Sequence, residues 1–428
     1  MESRKTKIIS VVAIVALLLI VFGIGVGVTL LYMNNKYKVY EEEEPKQIKK
    51  HVDTISMMLE TEANSGNYEL TTRESWPTEG YVFNSELSVC ENGGELSWDD
   101  ENKRVLMSGN VSDKCYVYFD IKPQVLLADY VKSLYTGTQG ENSIYYHDAN
   151  LTNGAGDNSY RYAGANPNNF VCFGTNTTPC PTDNLYRIIG VFGNQVKLIK
   201  YDYGTTDELG TDGDYYQTYK EWGMDSTYKG TYGDGERIGV YYWNNTTQKN
   251  TWSESLLNKT NLNTNFINNI GEEWANKIAT TTWKVGGNTY SNIYSKTPSV
   301  VYQNEIVNPV TTNTTDNATE YTAKIGLMYV SDYGFAAEPS AWTLTMGNYN
   351  NTTATSTNWM YMGLYEWTIS RYADHSGDAS RVFDVSLTGN VTNDYAGTAL
   401  AVRPSFNLLS SVTYSKGDGT QNSPIRIN

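Results

Sequence analysis

The chain has 428 residues, more than a single hydrophobic core organises, so two or more folded units are expected. Its 39% hydrophobic content leans on aromatics, 35 Tyr and 10 Trp in a background of Asn, Thr, Ser and Gly, which points to β-rich structure with polar loops. A net charge of -15, with 32 Lys and Arg and no basic cluster interleaved with aromatics, excludes nucleic acid as the partner and reads as a solubilising surface.

Residues 1–7 carry Arg4, Lys5 and Lys7 and are expected to form a cytoplasmic tail. Ile8 to Met33 contains no charge and is apolar over the roughly 20 residues needed to cross a bilayer, which predicts a transmembrane helix. A cleaved signal peptide fits less well, because the apolar run continues to Leu30, Leu31 and Tyr32 and the first cysteine is Cys90. Lys36, Lys38, Lys46, Lys49 and Lys50 follow the span, so the count of flanking charges does not orient it. The long segment beyond it, which translocates largely regardless of charge, and the even number of cysteines place the rest of the chain outside the cell membrane.

Ile48, Val52, Ile55 and Leu59 recur at helical spacing after Pro45, predicting an amphipathic stalk helix within 34–63. Residues 64–136 then alternate short apolar runs, such as Tyr81 to Phe83, Leu96 to Trp98, Arg104 to Met107 and Cys115 to Phe119, with turns such as Asn92-Gly93-Gly94. They predict a small disulfide-closed β-meander. Cys90, Cys115, Cys172 and Cys180 allow three pairings, and the local one, Cys90 with Cys115 and Cys172 with Cys180, keeps each bond inside one small β unit. A zinc site is disfavoured, since neither couple has C-x2-C spacing. This layout of membrane helix, amphipathic helix and disulfide-bearing β head resembles type IV pilins and pseudopilins in architecture, although the pilin start is absent from Met1 to Val15.

Leu127, Tyr130, Val131 and Leu134 predict a helix closing the first domain, and the Gly-, Asn- and Asp-rich residues 137–158 read as a linker. In 159–428, Gly193-Asn194 between Leu185 to Phe192 and Val196 to Lys200 signals a β-hairpin. Ser253 to Ile270 and Glu272 to Ile278 predict two helices. Further strands are expected at Ile325 to Ser331, Glu366 to Arg371, Arg381 to Leu387, Leu400 to Leu408 and Ile425 to Ile427.

Four pieces, Trp252 to Asn258, Trp367 to Arg371, Val382 to Val391 and Val402-Arg403-Pro404, together resemble an uncharacterised domain family of bacterial surface proteins. The core of that family is similar to the C-type-lectin-like fold of sulfatase-modifying factors and phage receptor-binding tips. The resemblance covers roughly Tyr160 to Asn428. It implies an α+β domain, two helices on a twisted antiparallel sheet, whose loops bind a glycan or a protein, with Trp367, Arg371 and Arg403 in its structural core. The cysteines that the modifying factors use have no counterpart, because no Cys follows Cys180.

No catalytic residue emerges. His51, His147 and His375 form no metal-spaced pair, and His375 stands in a loop, Asp374-His375-Ser376-Gly377. No G-x-S-x-G elbow or Walker sequence is present. Asp207, Asp212 and Asp214 could hold calcium in a Gly-rich loop, but their spacing is not that of an EF-hand. The candidate ligand surface is aromatic: Tyr215, Tyr216, Tyr219, Trp222, Tyr228 and Tyr232 offer rigid amphipathic area of the kind used to recognise sugars and proteins. The expectation is therefore a membrane-anchored extracellular binding or adhesion protein without enzymatic activity. A pilin-like or envelope-spanning structural component and an enzyme using paired carboxylates are the alternatives.

Overall fold

The computed structural model describes residues 54–109, 113–223, 227–233, 235–309, 318–350, 352–373 and 379–428. Two compact units are present, Met1–Pro123 and Gln124–Asn428. Strand outweighs helix, 33% against 21%, and is divided among several sheets. Among the described residues no helix is long and apolar enough to cross a membrane. The expected tail at 1–7 and membrane helix at 8–33 lie outside those residues.

The smaller unit contains β1 (Thr54–Glu60), β2 (Tyr68–Leu70), β3 (Tyr81–Cys90), β4 (Glu95–Asp99), β5 (Arg104–Ser108) and β6 (Lys114–Ile121). Four of these form a sheet in the order β2-β1-β6-β3, and β4 pairs with β5 as a separate ribbon. The stalk helix is corrected at its C-terminal end. Thr54 to Glu60 is a strand running parallel to β6, with Met57 opposite Val117 and Leu59 opposite Phe119. The alternation of Met57 and Leu59 into the core outweighs the helical spacing of Ile55 and Leu59, because β6 offers a complete row of backbone partners. The remainder of the predicted stalk lies outside the described residues. A parallel β1–β6 pair also rules out a simple meander, since adjacent parallel strands cannot be joined by a hairpin. Cys90 and Cys115 sit directly opposite each other on β3 and β6 and are bonded. The core is Met57, Val117 and Phe119 with Phe83 and Trp98 packed around them.

The larger unit begins with β7 (Val125–Leu126), which pairs with β23 (Thr413–Lys416), itself paired with β24 (Arg426–Ile427). Its largest sheet follows the order β17 (Ile325–Gly326), β22 (Ser405–Asn407), β12 (Gln195–Lys200), β11 (Leu185–Phe192), β9 (Tyr160–Tyr162) and β8 (Ile144–Tyr146), with β10 (Phe170–Cys172) also on β11. A second sheet runs β13 (Tyr215–Thr218), β14 (Gly239–Tyr242), β21 (Ala399–Ala401), β18 (Glu366–Arg371), β19 (Arg381–Val385) and β20 (Val391–Tyr395). A ribbon of β15 (Thr281–Lys284) and β16 (Glu320–Ala323) completes the set.

The hairpin at Gly193-Asn194 is present, joining β11 to β12. Both of its faces are covered. Ile188 and Leu198 enter a core shared with Trp243, Leu262, Trp367 and Phe406, while Ile189 and Ile199 enter a second core with Val301, Val330 and Phe383. A strand buried on both sides favours a near-continuous apolar run, which Leu185 to Val191 supplies except at Arg187, whose buried guanidinium donates to Asn169 and to the Pro167 carbonyl; each residue of the run is buried.

That two-sided burial corrects the expected α+β, C-type-lectin-like arrangement of one twisted antiparallel sheet with two helices. Layers are required on both faces, and they are built from four sheets and many short helices broken by Asn, Thr and Gly. One pairing, β18 with β21, is parallel. The predicted strand at Ile325 to Ser331 stops at Gly326, and Val330–Ala336 is a helix started by the Asp332 side chain, which accepts the Tyr329 N–H at 2.9 Å. The stretch read as a linker contributes β8 to the sheet, with Ile144, His147 and Ala155 buried.

Candidate functional site

The aromatic insertion leaves the large sheet after Lys200 and is pinned at two places. Asp202, wholly buried, accepts hydrogen bonds from the Tyr203 N–H (2.7 Å), the Tyr228 hydroxyl (2.7 and 2.8 Å), the Thr231 N–H (2.6 Å) and the Thr231 hydroxyl (2.9 Å). Burial, reinforced by the Asp202 charge, pushes the Tyr228 hydroxyl far above its usual range, so it remains a donor. The second pin is Asp183. It accepts the Tyr232 hydroxyl at 2.9 Å and both Arg237 amino groups at 3.1 and 2.6 Å, while Lys200 donates to its carbonyl at 3.0 Å and pairs with Glu208 at 3.0 Å.

These anchors sort the six predicted tyrosine and tryptophan side chains. Tyr219 and Tyr232 are buried at 2% and 7% exposure, and Tyr228 packs against the same cluster as Tyr203, Ile238, Val240 and Leu364. Tyr215 turns to the main core beside Tyr241, ring centroids 5.6 Å apart. Only Tyr216 and Trp222 face out, at 47% and 39% exposure. Tyr216 rests on the half-buried Tyr242 ring at 5.2 Å, and Trp222 stands edge-on to Tyr219 at 5.7 Å. The six therefore form no single open sheet of rings. Tyr216, backed by Tyr242, and Trp222, backed by Tyr219, are left as two exposed rings, each resting on an inward aromatic.

Tyr216 is carried by the edge strand of its sheet. β13 is four residues long and is bulged between Tyr215 and Gln217, which limits its use as a template for another strand. The Glu221 carboxylate accepts the Thr218 N–H at 2.9 Å and starts the helical turn that carries Trp222. The sequence signal for that turn is Thr-x-x-Glu, repeated at Thr205 to Glu208, where both halves of the capping box are made.

A second half-exposed cluster went unread in the sequence. Tyr146 on β8 stacks on Tyr160 of β9, centroids 4.6 Å apart, with Tyr135 at 5.9 and 5.7 Å from them. The Gln139 amide pairs with both backbone groups of Tyr146 at 2.9 Å and so covers the sheet edge, and the Tyr146 hydroxyl donates to Asn158 at 3.2 Å. The alternation of Ile144 with Tyr146, and of Tyr160 with Tyr162, was the available signal for these two strands.

The other predicted residues have structural surroundings. Trp367 is buried and donates its indole N–H to the Tyr241 carbonyl at 3.0 Å. Arg371 donates to the Val285 carbonyl at 2.8 Å, and Arg403 grips the Glu366 carboxylate. The three aspartates of the calcium reading are not brought together. Asp214 is buried and accepts the Asn245 and Leu257 N–H groups at 3.0 and 2.8 Å, Asp212 takes the Asn265 amide at 2.6 Å, and Asp207 lies 3.4 Å from Arg237. Among the described residues, the one cluster with metal-ligating side chains is Cys90, Asp113 and Cys115, whose sulfurs are joined to each other. The second disulfide is Cys172–Cys180.

The chain matches no protein family, curated protein or solved structure with which it was compared. His375 and His51 lie outside the described residues. His147 is completely buried between Phe335 and Trp342, its Nδ1 accepts the Ala155 N–H at 3.0 Å, and burial holds it neutral. The depression lined by Trp252, Ser253, Val285 and Tyr321 does not enclose room for even a water molecule.

Proposed function

We propose that the larger unit is an extracellular binding module that recognises glycan through exposed aromatic side chains fixed on sheet edges. The observation that carries this reading is the sorting of the aromatic insertion: Tyr219, Tyr228 and Tyr232 are committed to burial and hydrogen bonding, while Tyr216 and Trp222 are left exposed on a braced ribbon. Preorganised aromatic rings lose little entropy on binding, and an apolar sugar face stacks on them without a pocket. Tyr146 and Tyr160, ringed by the amides of Gln139 and Asn158, add a second place of the same character. Two disulfides and the uncharged run Ile8 to Met33 support an exterior location at a membrane. The resemblance of Trp252 to Asn258 and Val402-Arg403-Pro404 to a bacterial surface-protein family points to the same location.

The test is a glycan array probed with the whole chain, followed by titration of any hit against Tyr216→Ala and Trp222→Ala. Each substitution is expected to weaken binding about fivefold, from roughly 1 kcal/mol of lost stacking, with unchanged thermal stability. No binding to any glycan at high micromolar protein would refute the proposal.

A further inference from the structure

Lys197 and Asp332 meet inside the larger unit with Nζ 2.5 Å from Oδ2. They come from β12 and the helix Val330–Ala336, and are 4% and 3% exposed. The surroundings of the amine are aromatic: the Tyr329, Trp283 and Phe192 ring centroids lie 4.5, 5.3 and 5.9 Å from Nζ. The Asp332 carboxyl is held still, with Oδ2 accepting the Tyr329 N–H at 2.9 Å and Oδ1 lying 3.9 Å from Arg161 Nη1. A second buried carboxyl, on the helix Gln303–Val307, faces the first turn of Val330–Ala336. Glu305 accepts the Val330 and Ser331 N–H groups, each at 3.1 Å, and the Ser370 hydroxyl.

Two features separate this pair from an ordinary ion pair. Burial pushes the Lys197 ammonium below its usual range, although Asp332 pulls it back, and burial pushes Glu305 up to about 7. Burial thus favours loss of charge on both the amine and the neighbouring Glu305 carboxyl. In addition, Arg161 does not depend on Asp332 for a counterion, because Asp157 already pairs with it at 2.6 Å. The charges of Lys197 and Asp332 can therefore disappear together without leaving an unbalanced ion in the core.

We propose that Lys197 and Asp332 condense into an intramolecular amide, a covalent bolt between the central hairpin and the helix packed over it. One ammonium proton passes to the carboxylate, giving an amine and a carboxylic acid. The nitrogen then bonds to Cγ, and the hydroxyl leaves as water with a further proton from nitrogen. The Glu305 carboxyl is the neighbouring group that passes this proton. No oxidant or co-reactant is consumed. The remaining carbonyl oxygen keeps the Tyr329 N–H, and the cost of burying two full charges is removed.

The test is the intact mass of the full chain, denatured and reduced, measured beside Lys197→Arg. The wild type is expected to fall short of the mass inferred from the variant by one water, and its tryptic digest to contain a branched peptide joining the Lys197 and Asp332 segments. Glu305→Gln, checked for native circular dichroism, is expected to leave most of the protein unlinked. A wild-type mass with no missing water and no branched peptide overturns the proposal, and full linkage in Glu305→Gln overturns the part assigned to Glu305.

Discussion

Arg403 grips Glu366 in a two-pronged hydrogen bond, Nε to Oε1 at 2.7 Å and Nη2 to Oε2 at 2.8 Å, with both side chains almost fully buried. The guanidinium also donates to the Met360 carbonyl at 2.7 Å, so one arginine ties β18 to the loop ahead of it. Burial pushes Glu366 above the usual carboxylate range, and only the Arg403 charge and hydrogen bonds hold it back. Arg403→Met is therefore expected to leave a buried, uncompensated carboxylate and to cost about 3 to 5 kcal/mol, read as a lower denaturant midpoint. The double substitution Arg403→Met with Glu366→Leu should recover much of that loss. A double variant as unstable as the single one would show that the packing, not the charge, is what matters there.

Asp202 is expected to be the most sensitive residue of the aromatic insertion. Asp202→Ala removes the acceptor for the Tyr228 hydroxyl, the Thr231 N–H and the Thr231 hydroxyl at once. Leaving such donors unsatisfied costs about 1 to 3 kcal/mol each, enough to open the insertion locally. Limited proteolysis should then cut between Tyr215 and Arg237 in the variant while the wild type resists. Tyr228→Phe, which loses one of the four donors to Asp202, should fall between them.

What the sequence disclosed follows from where its signals are local. The Leu185 to Phe192 and Gln195 to Lys200 strands were legible because a two-residue turn lies between two apolar runs, and all of that information is contiguous. The disulfides were legible because each pair falls within one small unit. β1 was not, because its strand character comes from β6, more than fifty residues away, whose open edge decides between two periodicities that Thr54 to Glu60 carries at once. The aromatic insertion was legible in composition only. Whether Tyr216 or Tyr219 faces solvent depends on Asp202, Asp183 and Glu221, whose partners are set by tertiary contacts rather than by spacing.

Reduction should unequally weaken the two units. Cys90–Cys115 closes a separation of 25 residues and Cys172–Cys180 one of 8. On the chain-entropy account these stabilise by about 3.5 and about 2.5 kcal/mol, and the smaller unit has far less core to fall back on. Thermal melts in dithiothreitol are expected to show the smaller unit unfolding at markedly lower temperature, with a minor shift for the larger. Equal shifts would contradict this ordering.

Asp157 sets the expected acid limit of the larger unit. Burial raises its affinity for protons, but the Arg161 charge and the Ser159 hydrogen bonds outweigh it and bring the carboxyl from 3.8 to about 2. Because the folded value is depressed, the stabilisation is present above the unfolded value and disappears as pH falls through the window from 3.8 to about 2. The difference corresponds to roughly 2 kcal/mol. Asp157→Asn should therefore unfold at a lower denaturant concentration than the wild type at pH 5, and the gap between them should close towards pH 2. A gap of constant size across that range would mean that Asp157 acts through hydrogen bonding alone, and that its ionisation does not stabilise the fold.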